Sequence, residues 1–312
     1  MFERKRAVPM KCGVVDVGSN TIRLSIYRCE GTHIKLLLNK KEMAGLAGYI
    51  KDGALSDSGV LVACRVLSGF KALLDNFDIR DIYVFGTASL RNIANTEEAL
   101  GTIREVTGLT VDVLTGAEEA RLSFLGAAMG GGASSGLLAD IGGGSVELVS
   151  YADGEVVSGC SLPMGSLSLY SKYVEGLFPT QEETRRIRSF AAEELEKART
   201  PGGTCRHLVG VGGTIRAAAK LCNDLAGADP DNRVIPVEEL RDLYKGLKKG
   251  DKDTLRQILR SVPDRVHTIL PGLIILNTVL KAYEVETVSV STCGVREGYL
   301  LDRVIGAEGA EG

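Results

Sequence analysis

The segments DVGSNTIRLSIY (residues 16–27) and DIGGGSVELVSY (residues 140–151) decide the fold, because they are two copies of one pattern. Aligned without a gap, they share Asp, Gly, Leu and Tyr at four of twelve positions. In each copy an apolar strand ends in an aspartate, small residues form a turn, and a second strand follows. The sequence therefore predicts the same strand-turn-strand unit twice in the chain.

The elements around the two segments recur in the same order: three strands, helix, strand, helix, strand, helix. A chain of 312 residues also exceeds what one hydrophobic core usually supports. The glycine-rich stretch MGGGASSG (129–136) is the best boundary by composition. We therefore predict an α/β protein of two duplicated domains, each a mixed five-stranded sheet with flanking helices. The N-terminal domain comprises 1–128 plus 297–312, and the C-terminal domain comprises 129–296.

Composition limits the classes of partner. A net charge of −3, no tryptophan and only 5% aromatic residues argue against a nucleic-acid surface or an anionic membrane surface. The seven cysteines are scattered and never spaced C-x-x-C, which is typical of reduced thiols in a cytoplasm. No apolar stretch resembles a signal peptide or a membrane span. We expect a cytoplasmic protein with no nucleic-acid partner and no membrane partner.

The two turns have the chemistry of a phosphate site. Glycines at Gly18 and at 142–144 bring backbone N–H groups close to a ligand with no Cβ in the way. Asp16 and Asp140 would repel phosphate, so carboxylates at these positions predict a bound divalent cation, Mg²⁺ or Mn²⁺. The alternative for Gly142, Gly143 and Gly144 is a plain hairpin turn.

A third glycine turn, VGVGGTIRAAAKL (209–221), joins a strand to a helix. Gly212, Gly213 and Thr214 would begin that helix, and helix N-termini favour anions. The spacing fits neither a dinucleotide fingerprint nor a P-loop. The alternative is a close helix-strand contact that requires small residues.

Cations for a polyanionic substrate come from three places in the sequence. Arg23 follows the first turn, Arg91 follows a strand end in GTASLRNIAN, and Arg296 lies in GVREGYLLD. The carboxyl ends of strands are where α/β sheets collect ligands, which favours Arg91. The alternative for each arginine is a solvated surface residue.

The stretch LTGAEEARLSF (114–124) places two glutamates at the start of a helix. Thr115 and Glu118 form a capping-box pattern, which gives Glu118 a structural role. Glu119 lies about 100° further around the helix and is not needed for the cap. It is a candidate general base, and the alternative is a first-turn acid that complements the helix dipole.

Seven motifs occur in the order found in the Ppx/GppA family, the exopolyphosphatases and guanosine pentaphosphate phosphohydrolases, between about residues 12 and 303. The chain resembles the short two-domain form of that family, without the further helical region of longer members. The motifs are DVGSNTIRL, GTASLRNIAN, LTGAEEARLSFLG, DIGGGSVEL, SLPMGSL, VGVGGTIRAAA and VSTCGVREGYLLD.

The resemblance implies two ribonuclease-H-like domains of the actin-like ATPase superfamily, with the active site in the cleft between them. It implies inorganic polyphosphate or pppGpp as substrate, assisted by Mg²⁺. It places the catalytic base on Glu119, with Glu147 as a second candidate. The expected phosphate contacts, from the turns and from the resemblance together, are Gly18, Ser19, Asn20, Arg23, Arg91, Gly142, Gly143, Gly144, Ser145, Gly212, Gly213 and Thr214.

Two other functions stay open from the sequence alone. One is an ATP-using kinase or ATPase of the same superfamily, with an adenosine pocket around residues 212–216. The other is a non-catalytic sensor that binds (p)ppGpp or polyphosphate. The oligomeric state is also open, and a homodimer is one alternative.

Overall fold

The computed structural model of the chain describes residues 10–31, 33–131, 134–198 and 205–306. These residues form two compact units. Unit 1 ends at Thr115 and resumes at Tyr299, and unit 2 is Gly116–Gly298. The domain boundary expected after residue 128 stays a prediction, and part of the expected connector, residues 132–133, lies outside the described residues.

Unit 1 is built on a mixed five-stranded sheet in the order β3-β2-β1-β6-β7. The first three strands form an antiparallel meander, and β6 and β7 extend the sheet in parallel beside β1. A two-stranded hairpin, β4 with β5, lies between the meander and the first long helix. The strands are β1 (Met10–Val17), β2 (Thr21–Glu30), β3 (His33–Met43), β4 (Ile50–Lys51), β5 (Ala54–Leu55), β6 (Asp81–Gly86) and β7 (Val111–Val113).

Helices pack on the sheet of unit 1 where apolar residues recur three or four positions apart in the sequence. Ser56 caps the longest helix by accepting a hydrogen bond from the amide of Gly59, as its position before an amphipathic run predicts. The apolar side of this helix packs in one buried cluster with β1 and β2. The helices are α1 (Asp57–Asn76), α2 (Ala88–Arg91) and α3 (Thr96–Thr107).

Unit 2 is built on a six-stranded mixed sheet in the order β10-β9-β8-β11-β13-β12. Five of these strands repeat the order and the directions of unit 1's sheet. The sixth, β12, pairs antiparallel with β13 at the edge and was not expected, because its three residues include Pro236. The strands are β8 (Gly136–Ile141), β9 (Val146–Ala152), β10 (Glu155–Leu162), β11 (His207–Val211), β12 (Val234–Pro236) and β13 (Thr287–Val290).

The helices of unit 2 include α10, which is apolar almost all round and buried. Helix α4 packs against β9 and β10 of this unit. Continuing from α11, a short π-helical turn carries the chain through Leu300–Ile305. The helices are α4 (Gly116–Ala128), α5 (Ser166–Tyr173), α6 (Gln181–Lys197), α7 (Gly212–Ala226), α8 (Val237–Leu247), α9 (Lys252–Ser261), α10 (Ile269–Ala282) and α11 (Val295–Tyr299).

The shared strand order confirms the predicted duplication and the two-domain α/β fold class. In the part of the chain that the structure describes, no helix has the length and apolar character needed to cross a lipid bilayer.

Candidate active site

The second glycine turn joins β8 to β9 and is closed by one hydrogen bond, from the amide of Gly142 to the carbonyl of Ser145 at 3.0 Å. Two of its carbonyls accept hydrogen bonds from the first turn of α5: the amide of Ser166 donates to the Gly142 carbonyl and the amide of Leu167 donates to the Gly143 carbonyl. With the carbonyls engaged on that side, the amides of Gly143 and Gly144 donate to no acceptor within the described chain. Unpaired successive amides are a favourable place for an anion.

The first glycine turn has the same construction in unit 1. The amide of Gly18 donates to the carbonyl of Thr21 at 3.1 Å. The segment after β3 then holds the turn, since the amide of Gly45 donates to Asn20 at 2.8 Å. The amides of Ser19 and Asn20 donate to no acceptor among the described residues. Each predicted phosphate turn thus has a pair of open amides.

Asp140 ends β8 directly before the second turn and is buried. Ser123 on α4 donates its Oγ to Asp140 Oδ2 at 2.7 Å. Burial raises the pKa of Asp140, while this hydrogen bond and the charges of Arg216 and Arg296 oppose the rise. The carboxylate is therefore surrounded by cations on α7 and α11, both in unit 2.

Glu147 lies directly opposite Asp140 on the neighbouring strand β9. Its side chain is 1% exposed and accepts a hydrogen bond from Ser161 Oγ at 2.7 Å. Burial raises its pKa well above the usual carboxyl range, and the negative charges of Glu119 and Asp140 raise it further. Three carboxyl groups of unit 2 are thus close enough to interact electrostatically.

The two glutamates of the α4 motif differ in burial. Glu119 is 7% exposed, whereas Glu118 beside it is only half-buried. Both lie in the first turn of α4, which begins at Gly116 directly after Thr115. The different burial places Glu119, and not its neighbour, among the interior carboxyl groups. The capping box of Thr115 and Glu118 stays a prediction.

The third glycine turn begins α7 and lies against the same carboxyl group. A side chain on Gly212 would overlap the carboxylate of Asp140, and one on Gly213 would overlap the guanidinium of Arg265. Gly212 also has φ +91, a backbone conformation that favours glycine. Arg265 is a cation that sequence reasoning missed, because it follows Pro263 in a region without a motif.

Thr214 occupies the same helix start but is turned inward. Its side chain is 1% exposed and packs against Gly272 of α10. Any anion contact of Thr214 would therefore come from its backbone. Its role in phosphate binding stays a prediction.

The predicted site residues of unit 1 gather at the carboxyl end of β1. Asp16 lies opposite Arg23 on β2. Arg91 ends α2 and donates from Nη1 to the carbonyl of Leu114 at 2.9 Å. Helix α2 is tied to the end of β1, because Ser89 Oγ donates to the Val17 carbonyl at 3.2 Å. The first turn, Arg23 and α2 are thus grouped within one unit.

The donor chemistry suits a hard divalent cation. Among residues 10–31, 33–131, 134–198 and 205–306, no group of three or more His, Cys, Asp or Glu side chains is arranged as metal ligands. Mg²⁺ needs fewer protein ligands, since it binds through one or two carboxylates and keeps water and substrate phosphate oxygens. Asp140 and Glu147, on adjacent strands, offer oxygen donors only. These residues fit Mg²⁺ or Mn²⁺.

Comparison with known proteins identifies the family. The family model described as "Ppx/GppA phosphatase family" matches residues 25–305. The chain belongs to the Ppx/GppA phosphatase family. Among curated relatives, Exopolyphosphatase 1 of Mycobacterium leprae (strain TN) is 28% identical over 95% of this chain and 90% of its own length. Exopolyphosphatase 1 of Mycobacterium tuberculosis (strain H37Rv) is 26% identical over 95% and 88%.

Solved structures of the family share the fold. The Aquifex aeolicus Ppx/GppA family member has a TM-score of 0.78 and 27% identity, and the match covers 96% of this chain and 99% of that one. An exopolyphosphatase from Cytophaga hutchinsonii has a TM-score of 0.84 at 24% identity, over 95% and 98% of the two chains, which supports the fold alone. The actin-like fold class predicted from the motifs is confirmed.

Proposed function

We propose that the protein is a hydrolase that releases terminal phosphate from inorganic polyphosphate. The observation that carries the proposal is the grouping, within unit 2, of the buried carboxyl groups of Glu119 and Glu147 beside the open amides of the second glycine turn. That arrangement offers a base next to an anion site. Family membership and relatives named Exopolyphosphatase 1 support the same chemistry.

Glu119 is the proposed general base. Its carboxylate would orient a water molecule and take its proton as the water oxygen bonds to the terminal phosphorus. The bond from that phosphorus to the bridging oxygen breaks, and the shortened chain leaves with the electron pair. A well-placed base contributes roughly 10²- to 10⁴-fold in rate. Glu147, which accepts a hydrogen bond from Ser161 Oγ, is the second candidate for the base.

Negative charge on the transferred group needs donors at fixed positions. The amides of Gly143 and Gly144, and the cations Arg216 and Arg265 beside the third turn, are the proposed donors of unit 2. Arg91 and the remaining predicted phosphate contacts stay proposals, which rest on the sequence motifs and on the family resemblance.

Asp140 is the proposed ligand of Mg²⁺ in unit 2, with Glu147 opposite it on the neighbouring strand, and Asp16 is the proposed ligand in unit 1. When bound, the cation would neutralise phosphate charge and polarise the phosphoryl oxygens. Without it, the carboxylates of unit 2 would repel a polyanion. Removing the cation with EDTA is therefore expected to stop phosphate release and restoring Mg²⁺ to recover it.

A second substrate follows from the same chemistry. pppGpp ends in a phosphoanhydride, and the bond that would break is the same kind. The cations around Gly213 would suit its further phosphate groups.

The test is phosphate release from long-chain polyphosphate, tripolyphosphate, pppGpp and ATP, each with Mg²⁺. We expect release from polyphosphate at the highest rate. Turnover of ATP alone would instead support a kinase or ATPase of the same superfamily. Tight binding of polyphosphate with no release from any of the four would support a sensor.

A further inference from the structure

A basic groove lies on the helical layer of unit 2, away from the glycine turns. Two adjoining cavities, of about 630 and 350 Å³, share Arg188 and Tyr244 in their walls. Arg188 Nη2 donates to the Tyr244 hydroxyl at 3.3 Å, which joins the two cavities at that point. We call the combined surface the basic groove.

Three helices line the basic groove, each with residues spaced three or four apart. Residues at that spacing share one face of a helix. Helix α10 packs against both α6 and α8, which brings the three faces together. The stripes are Arg185 and Arg188 with Ala192 on α6, Arg241 and Tyr244 with Lys248 at the end of α8, and Asn277 and Thr278 with Lys281 on α10.

The charge of the groove is one-sided. Six cations line it, and no carboxylate does among the described residues: Arg185, Arg188, Arg241, Lys248, Lys249 and Lys281. Two of them are paired, Arg185 with Glu182 at 3.0 Å and Arg241 with Glu238 at 3.3 Å. In the part of the chain that the structure describes, the other four make no ion pair.

This concentration is unusual in a chain with a net charge of −3. A cleft lined by one sign of charge raises the local concentration of counter-ions and of oppositely charged ligands. A ligand that neutralises several cations at once gains further from counter-ion release. The groove therefore fits an extended polyanion.

The groove lies within reach of the proposed site along one helix. Helix α10 begins beside the third glycine turn, where Gly272 contacts Thr214, and reaches the groove at Lys281 in its last turn. Nine residues of α-helix separate Gly272 from Lys281, a rise of about 14 Å. A chain molecule can span this distance, whereas a molecule of two or three phosphates cannot occupy both places.

We propose that the basic groove is a second binding site for inorganic polyphosphate, which holds a distal part of a long chain. The proposal rests on the proposed function for its substrate. A polyphosphate has no bases, so it requires only cations and hydrogen-bond donors. Single-stranded nucleic acid is bound largely by aromatic stacking, and Tyr244 is the only aromatic side chain among the described groove residues. These features favour polyphosphate over RNA.

The test compares two triple variants of equal charge change. Arg188→Gln with Lys248→Gln and Lys281→Gln removes three of the four groove cations that make no ion pair. Arg206→Gln with Lys220→Gln and Lys252→Gln removes one arginine and two lysines from exposed positions of unit 2 outside it. Because all six side chains are exposed, both variants are expected to fold, which thermal melting checks.

For long-chain polyphosphate, we expect the groove variant to raise KM by about tenfold, as three exposed charge contacts imply. The groove variant's KM for tripolyphosphate should stay within about twofold of the wild type. The control variant's KM values for long-chain polyphosphate and for tripolyphosphate should also stay within about twofold. The charge-conserving variant Arg188→Lys with Lys248→Arg and Lys281→Arg should keep the affinity. Equal increases in both Gln variants, or an equal increase for tripolyphosphate, would overturn the proposal.

Direct binding keeps the groove testable even if no phosphate is released. The dissociation constant of end-labelled long-chain polyphosphate is measured in EDTA across a range of salt. In the groove variant the slope of log affinity against log salt should fall by about 2, at roughly 0.7 per lost contact. An unchanged slope would contradict the proposal, as would single-stranded RNA that displaces polyphosphate at a lower concentration than polyphosphate itself.

Discussion

The two glycine turns are closed by the same kind of hydrogen bond, but the residue that faces the preceding aspartate is a cation in one unit and a carboxyl group in the other. Each is closed by an amide-to-carbonyl hydrogen bond, at 3.1 Å for Gly18 and 3.0 Å for Gly142. Each follows an aspartate, and each aspartate faces one residue across the neighbouring strand. That residue is Arg23 in unit 1 and Glu147 in unit 2.

The difference assigns separate roles to the two copies. Duplication preserves the hydrogen bonds that leave these amides open, and we propose that both turns bind phosphate. A cation opposite the aspartate adds attraction for a polyanion, whereas a buried carboxyl group adds a proton acceptor or a metal ligand. We infer that the first turn mainly binds and the second carries the chemistry.

The largest expected effect concerns how the turns are held. A side chain at Gly165 would overlap the peptide between Gly143 and Gly144, which is backbone and cannot rotate away as a flexible side chain could. Gly165→Ala should therefore lower the free energy of unfolding by about 3 kcal/mol. Gly45 lies in the segment that holds the first turn, and a side chain there would meet nothing within 4 Å. The only cost of Gly45→Ala is therefore the backbone strain of an alanine at φ +59. That variant should lose about 1 kcal/mol; equal losses in urea unfolding would contradict this difference between the two turns.

A smaller effect is expected from the cation of the first turn. Arg23→Gln should raise KM for polyphosphate about tenfold and change kcat little, because the contact is equally present in the bound and transition states. Arg28→Gln is the matched control on the same strand, where Arg28 is exposed and paired with Glu30. A fall in kcat with unchanged KM would refute a binding role for Arg23.

The smallest effect is a pH dependence carried by Glu147. Its pKa is raised in the folded protein, so the folded state keeps a proton that the unfolded chain has already lost. Stability therefore falls as pH rises from the ordinary carboxyl pKa through the raised one, by at most about 1.4 kcal/mol per pH unit. In metal-free protein, Glu147→Gln should lose this part of the slope and Arg23→Gln should keep it, as measured by urea unfolding at several pH values. Parallel slopes for all three proteins would contradict the titration of Glu147 as the cause.

Much of the fold was predictable because the duplication can be recognised from short repeated motifs in the sequence. The strand-turn-strand pattern at 16–27 and 140–151 gave the core of both sheets, and the buried runs around it gave the remaining central strands. The edge strand β12 was not predictable, because three residues with a proline carry no periodic signal. The contacts that hold the turns were not predictable for a different reason, since a hydrogen bond such as that from Gly45 to Asn20 joins residues with no shared pattern.

The candidate site was likewise predictable only in part. Glu119 and Glu147 could be named from their motifs, and their different environments could not, because burial depends on which elements pack around them. Arg265 shows the limit most clearly. It contacts Gly213, some fifty residues earlier in the chain, and nothing in the local sequence SVPDRVHT marks it as part of a site. For Thr214, the position at the start of a helix was predictable from the local sequence. The inward direction of its side chain was not, because it depends on packing against α10.

The most direct test compares two adjacent glutamates in one assay. Phosphate release from polyphosphate is measured for the wild type, Glu119→Gln and Glu118→Gln, with thermal melting of all three. A general base at residue 119 predicts that Glu119→Gln loses about 10²-fold or more in kcat with the fold intact. Glu118→Gln should keep near-normal activity and lose about 1 kcal/mol of stability or less. Equal activity losses in the two variants, with unchanged melting temperatures, would contradict the assignment.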